Sequence, residues 1–158
     1  MVKPRNVLPA KLSRPSAAGL AARERLFVLL DRFRRRPITW IEGPPGAGKT
    51  SLVSSWVEAR GLRCLWYQID AGDADPATFF HYLRQAVPPG ATPLPPLTPE
   101  YLPDLARFTR RFFKALLERV PNLAVIVLDN FQDAPGDSPL ATTGTPTGPP
   151  RLACRSVP

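Results

Sequence analysis

The sequence predicts an α/β fold, a parallel sheet flanked by helices, and three observations predict it. Short apolar or β-branched runs at 38–42, 63–69 and 123–128 alternate with segments of helical period. The last of them, LAVIVL, is apolar at six consecutive positions, as a strand buried on both faces of a parallel sheet requires. The first run leads through a glycine-rich loop directly into a helix, the kind of crossover that joins parallel strands.

The elements follow in order. Residues 1–19 are polar, proline-punctuated and without period, and are expected as an extended lead-in on the surface. From Ala21 to Arg35, Leu26, Leu29, Leu30 and Phe33 recur at three- and four-residue steps, an amphipathic helix that ends before Pro37. Ile38 to Ile41 form the first strand, and Ser51 to Arg60 form a helix closed by Gly61. The strand LRCLWYQI follows, then DAGDADP, a turn whose Pro76 suits the first position of a helix lined by Phe79, Phe80, Leu83 and Val87. Seven prolines between Pro88 and Pro103 mark a spacer or an ordered loop. Leu105, Phe108, Phe112, Leu116 and Val120 repeat at helical spacing between Pro103 and Pro121.

The pattern stops near residue 140. The segment ATTGTPTGPPRLACRSVP is rich in Pro, Gly and Thr, and 141–158 is expected to be disordered. The organisation expected is a lead-in over 1–19, a partial domain over 20–140 and a tail. A parallel sheet usually has about five strands, so the loss of pattern reads as a truncated or frame-shifted piece of a longer gene.

Composition bounds the function. A chain of 158 residues with 44% hydrophobic and 22% charged residues is that of one soluble domain. The formal charge of +8 comes from residues 1–36, where ten Lys or Arg face Glu24 and Asp31. The run Arg32, Arg34, Arg35, Arg36 reads as a solvated helix end whose cations favour the C-terminal dipole, so no direct nucleic-acid binding is expected. Cys64 and Cys154 lack metal or redox spacing, and no apolar stretch approaches the roughly 18 residues of a membrane span, so a cytoplasmic protein is expected.

Gly43-Pro44-Pro45-Gly46-Ala47-Gly48-Lys49-Thr50 matches the phosphate-binding loop pattern in its required strand–loop–helix context. Glycines let the backbone approach the phosphates, and inward N–H groups and the following helix supply positive potential. Lys49 is expected to reach the β- and γ-phosphates, Thr50 to ligate Mg²⁺, and Ser51 to lie against the same group. Asp129, at the end of the apolar run, is the expected second Mg²⁺ contact, and with Lys49 it makes the catalytic pair. Asn130 stands where a second acid would activate water, and a carboxamide is not a base. Asp133 is the nearest substitute, so binding is better supported than hydrolysis. Asp70, Asp73 and Asp75 lack the spacing of a calcium loop and read as turn residues. His81 reads as a surface or rim histidine, and Trp40, Trp56 and Trp66 as core or partner surface.

Taken in order, LPAKLSRP, LAARERLFVLLDRF, ITWIEGPPGAGKTSLVSSWVEARGLRCLWYQIDAGDADPATFFHYL and AVIVLDNFQDA resemble the N-terminal ATPase region of STAND-class signalling ATPases. The chain is similar in particular to that region of large bacterial LuxR-type transcriptional regulators, over roughly residues 9–140. The resemblance implies an AAA+-like P-loop NTPase switch in which ATP favours an open, self-associating state and ADP a closed one. It also implies that Arg23 lies near the adenine pocket. Two rival readings share these residues: a small-molecule kinase, which would need a lid carrying arginines, and a non-catalytic interaction scaffold.

Overall fold

The computed structural model describes residues 8–36, 38–88, 90–133 and 151–156. Among them, helix α1 (Glu24–Phe33) precedes strand β1 (Ile38–Gly43), followed by α2 (Lys49–Ala59), β2 (Cys64–Gln68), α3 (Pro76–Arg84), α4 (Leu105–Arg119), β3 (Val125–Asp129) and β4 (Arg151–Ser156). The four strands form one sheet in the order β1-β4-β3-β2, every pair parallel. The α/β architecture expected from the sequence is therefore present.

Strand alternation divides the core into two layers. Trp66, Val125 and Val127 point to one face and pack with Phe27 and Leu30 of α1 and Val53, Trp56 and Val57 of α2. Leu65, Tyr67, Ile126 and Leu128 point to the other and pack with Phe79, Phe80 and Leu83 of α3 and Phe108, Phe112 and Leu116 of α4. The aromatic residues of that second layer meet edge to face: Phe80 lies 4.8 Å from both Phe108 and Phe112.

Two expectations are corrected. The tail at 141–158 is not wholly disordered, because Arg151–Ser156 form β4, inserted between β1 and β3 with Ile38 opposite Arg151 and Val127 opposite Leu152. Sequence period is a poor guide there, since a central strand is specified by ladders on both sides more than by its own pattern. The other residues of the tail lie outside the described ones. The α1 stripe is also rotated: Phe27 and Leu30 are buried, whereas Val28, Leu29 and Phe33 are exposed. The orienting contacts are polar, with Trp56 Nε1 and Arg60 Nε donating to Asp31 at 2.9 and 2.8 Å. Burial opposes ionisation of Asp31, but these two hydrogen bonds outweigh it and hold the carboxyl below its usual range.

The lead-in, expected on the surface, is fastened to the domain over its described residues. Leu12 and Ala17 are buried. Arg14 Nη1 donates to the Ser54 carbonyl at 2.7 Å, and Ser54 Oγ donates to the Pro15 carbonyl. Lys11 Nζ lies 2.8 Å from both Asp70 and Asp73, and Asp73 is fully buried with the Tyr67 hydroxyl donating to it at 2.6 Å. The proline-rich stretch is ordered where described: Leu94 is buried, and Arg84 and Arg119 donate to the carbonyls of Leu94 and Thr92.

Lys11→Met would leave Asp73 as an unpaired buried charge, and a loss of about 3–5 kcal/mol is expected in urea unfolding. Burial disfavours the Lys11 cation, but its bonds to Asp70 and Asp73 raise its titration above the ordinary lysine range. The stability it supplies is therefore full at neutral pH and is lost as pH rises through that raised value. A loss below about 1 kcal/mol would show the pair to be dispensable.

Candidate functional site

The site lies where β1 and β3 end. Beyond Gly43 the chain turns through Gly46 and Gly48, both at φ +76°, a left-handed conformation that costs glycine nothing. Gly48 is constrained twice, since a Cβ there would lie 3.2 Å from Arg23 Nη2. Gly48 is also the N-cap of α2 and offers no side chain to the first-turn N–H groups, which remain donors for an anion.

Lys49 and Thr50 open α2 and diverge, because consecutive helix residues point about 100° apart. Lys49 Nζ donates to the carbonyls of Gly43 and Pro44, each at 3.0 Å, so its ammonium lies over the loop. Thr50 Oγ1 donates to Asp129 Oδ1 at 3.0 Å. The loop is closed by Ala47 N donating to the Pro44 carbonyl at 3.2 Å. Pro45 sits on its exposed outer turn, and Ser51 follows in the first turn of α2, half-buried. Arg23, immediately before α1, brings Nη1 to 3.5 Å from the Ala47 carbonyl. Loop, lysine, threonine, arginine and distant aspartate are thus brought together.

Asp129 is only 2% exposed. Its Oδ1 accepts from Thr50 and from the Asn130 N–H at 3.1 Å, while the buried Oδ2 has no hydrogen-bond partner among the described residues. Burial pushes its carboxyl above the ordinary value of 3.8, against the opposing pull of the Thr50 and Asn130 bonds and the Lys49 charge. An under-coordinated buried carboxylate beside a threonine hydroxyl is a donor set suited to a hard cation.

The remaining candidates lie elsewhere. Asp133 ends a short 3₁₀ turn and lines the cleft between the ends of β2 and β3, beside Lys11, Gln68, Asp70 and Asn130. Asp70 and Asp75 act as caps, Asp75 accepting from the N–H groups of Ala77 and Thr78. No group of three His, Cys, Asp or Glu among the described residues is placed to hold a metal. His81 pairs with Gln85 at 3.1 Å on an exposed face. Burial pushes the Cys64 thiol up to about 12, which keeps it a thiol. Trp56 and Trp66 are core, and Trp40 is half-exposed with Phe131 edge-on at 4.9 Å. Sequence reasoning missed Lys11, whose partners are about sixty residues away and leave no local signal.

Fold and site define an α/β domain with a small parallel sheet whose carboxyl edge gathers a glycine-rich loop, a lysine, a threonine and a buried carboxylate. No helix among the described residues is long and apolar enough to cross a membrane. No family model matches the chain. Over 82 residues, 51% of its length, it is 37% identical to the HTH-type transcriptional regulator MalT of Cronobacter sakazakii (strain ATCC BAA-894). The same identity over 82 residues relates it to the HTH-type transcriptional regulator MalT of Yersinia enterocolitica serotype O:8 / biotype 1B (strain NCTC 13174 / 8081). The matched region spans 9% of the length of each of these relatives.

The raised titration of Asp129 has a signed consequence. Folding favours its protonated form, so the penalty is absent below pH 3.8, grows as pH approaches the raised folded value and is complete above it. Asp129→Asn removes the charge, and its stability relative to the wild type is expected to increase between pH 4 and pH 8 in metal-free urea titrations. A difference that stays flat or falls with pH would show that the carboxylate is not desolvated in solution.

Proposed function

We propose that this chain binds Mg·ATP on the loop from Gly43 to Ser51 and serves as the nucleotide-responsive part of a transcriptional regulator. The observation that carries the reading is the meeting of Thr50 and Asp129, 79 positions apart in sequence, over one buried carboxylate with an oxygen unpartnered among the described residues. Lys49 would leave its two loop carbonyls for the β- and γ-phosphates, with the first N–H groups of α2 beside it. Thr50 and Asp129 would hold Mg²⁺, which when bound neutralises phosphate charge. Arg23, which lies against Ala47 and Gly48, would meet the nucleotide from the base side, as the resemblance implies. The regulatory role rests on the similarity to relatives named as transcriptional regulators.

Hydrolysis is weak or absent in this reading. The residue after Asp129 is a carboxamide, and Asp133 lies in the cleft beyond it. The bound nucleotide then acts as a state marker, ATP favouring self-association and ADP the closed form.

Calorimetric titration with Mg·ATP tests the proposal, with circular dichroism to establish that each chain is folded. Saturable binding is expected, weakened at least about 100-fold, or 2.7 kcal/mol, in Lys49→Ala. No binding by a folded wild type, or equal affinity in a folded Lys49→Ala, would overturn the loop assignment. In parallel, light scattering is expected to register a larger species with Mg·ATP than with Mg·ADP. Equal size in both would favour an interaction scaffold.

A further inference from the structure

The sheet has two edges, and the chain covers one of them. At the β2 edge, Leu12 packs with Leu65 and Tyr67 in the layer under α3 and α4, while Arg14, two residues on, bonds Ser54 and Glu58 of α2 on the opposite face. The lead-in therefore passes around β2 from one face of the sheet to the other, which withdraws that edge from contact with another strand. At the other edge, β1 pairs with β4 on one side and with no strand on the other among the described residues. The unpaired backbone N–H and C=O groups of such an edge are a template for a further strand.

The flanks of this bare edge are apolar. Ile41 packs in the layer under α1 and α2, so alternation turns Thr39 to that same face and Ile38 and Trp40 to the other. Trp40 is half-exposed, and Val28, Leu29 and Phe33 of α1 are exposed as well. Leu29 and Phe33 lie one turn apart on α1, and Thr39 Oγ1 donates to the Phe33 carbonyl at 3.2 Å, which sets the end of that helix beside β1. Exposed large apolar side chains thus stand on both faces next to the same strand. Charge is ordered along it too: Arg34, Arg35 and Arg36 lead into β1, and Glu42 lies near its end.

We propose that the β1 edge is the surface through which two copies of this chain associate, antiparallel about a two-fold axis at Thr39. Antiparallel pairing reverses the order of charge, and Arg36 and Glu42 are equidistant from Thr39, so Arg36 of each copy lies opposite Glu42 of the other. In this register Trp40 of each copy lies opposite Ile38 of the other, an aromatic and β-branched pair on one face, and the two Thr39 side chains meet on the other face. The same axis places both α1 helices on one face of a continuous sheet, with Leu29 and Phe33 the exposed side chains at hand to fill the space between them. A second copy is the occupant because the edge is complementary to itself in charge and in apolar content, and a two-fold contact of this kind closes at the dimer. The association needs no nucleotide and does not rest on the Mg·ATP reading.

Light scattering coupled to size exclusion tests it on the nucleotide-free, reduced chain. A concentration series is run at about 0.15 M ionic strength, where repulsion between two basic chains is largely screened beyond about 8 Å. A mass of two chains that falls to one on dilution is expected. Trp40→Lys and Arg36→Glu, each shown to fold by circular dichroism, are expected to raise the dissociation constant at least about tenfold. Arg36 is exposed, so its variant decides the matter if Trp40→Lys does not fold. Thr39→Cys is expected to form a disulfide-linked dimer on mild oxidation, because residues at the axis face each other with Cβ atoms about 5 Å apart. The wild type, with Cys64 and Cys154, is its control. A wild type that stays monomeric throughout, a dimer unaffected by both substitutions in folded chains, or no more linked dimer in Thr39→Cys than in the wild type would each overturn the inference. Open-ended growth in place of a closed dimer would overturn it too.

Discussion

Burial of β3 along its whole length is the constraint from which the core and the site both follow. All five residues from Val125 to Asp129 are inaccessible. Two of them, Val125 and Val127, complete the layer under α1 and α2, and two, Ile126 and Leu128, complete the layer under α3 and α4. Neither helical layer has a substitute for these side chains, so the strand is fixed in register from both faces. The same burial carries Asp129 into a place where water cannot solvate it, and a carboxylate so placed gains from a proton, a hydrogen-bond donor or a cation. Two donors are present on one oxygen, and the second oxygen has none among the described residues.

Sheet order sets how the loop reaches that carboxylate. β1 and β3 are not neighbours, because β4 lies between them. Two strand spacings separate their axes by about 10 Å, too far for a side chain at the end of β1 to close by itself. The loop spans it by turning through two left-handed glycines and starting a helix, so that Thr50 rather than a loop residue makes the contact. Lys49 is then left on the loop side of α2, where carbonyl dipoles hold its charge. Arg23 meets the loop at Ala47 and Gly48, so the loop backbone holds two cations, Lys49 on its first carbonyls and Arg23 on a later one.

Much of this was legible because it is written in local pattern. The apolar run at 123–128 lies one or two residues from the observed β3, and the loop sits between strand and helix as its spacing implies. Asp75 as a helix cap and Pro76 at its first position follow from the same local rules. What escaped is non-local. β4 has a sequence, RLACRS, with no alternation to read, and its place comes from ladders to Ile38–Gly43 on one side and Ile126–Leu128 on the other. The buried face of α1 was displaced by one residue because Asp31, a polar residue, points inward to Trp56 and Arg60. Lys11 looked like one more surface cation of a basic N-terminus, and its role depends on a buried acid beyond β2.

These non-local contacts divide the positive charge of the N-terminus into two populations with different physical meaning. Lys11 and Arg14 are spent on Asp70, Asp73 and Glu58, and they pin the lead-in to the ends of β2 and to α2. Beyond the lead-in, Arg23 lies against the loop at Ala47 and Gly48. Arg25, Arg32, Arg35 and Arg36 remain exposed on and after α1. A count of charges treats the two groups alike, whereas the fold makes the first part of the domain and leaves the second to solvent. The lead-in is therefore part of the domain and not a loose extension of it: Lys11 is set against the buried Asp73, and Arg14 against Ser54 and Glu58 on α2.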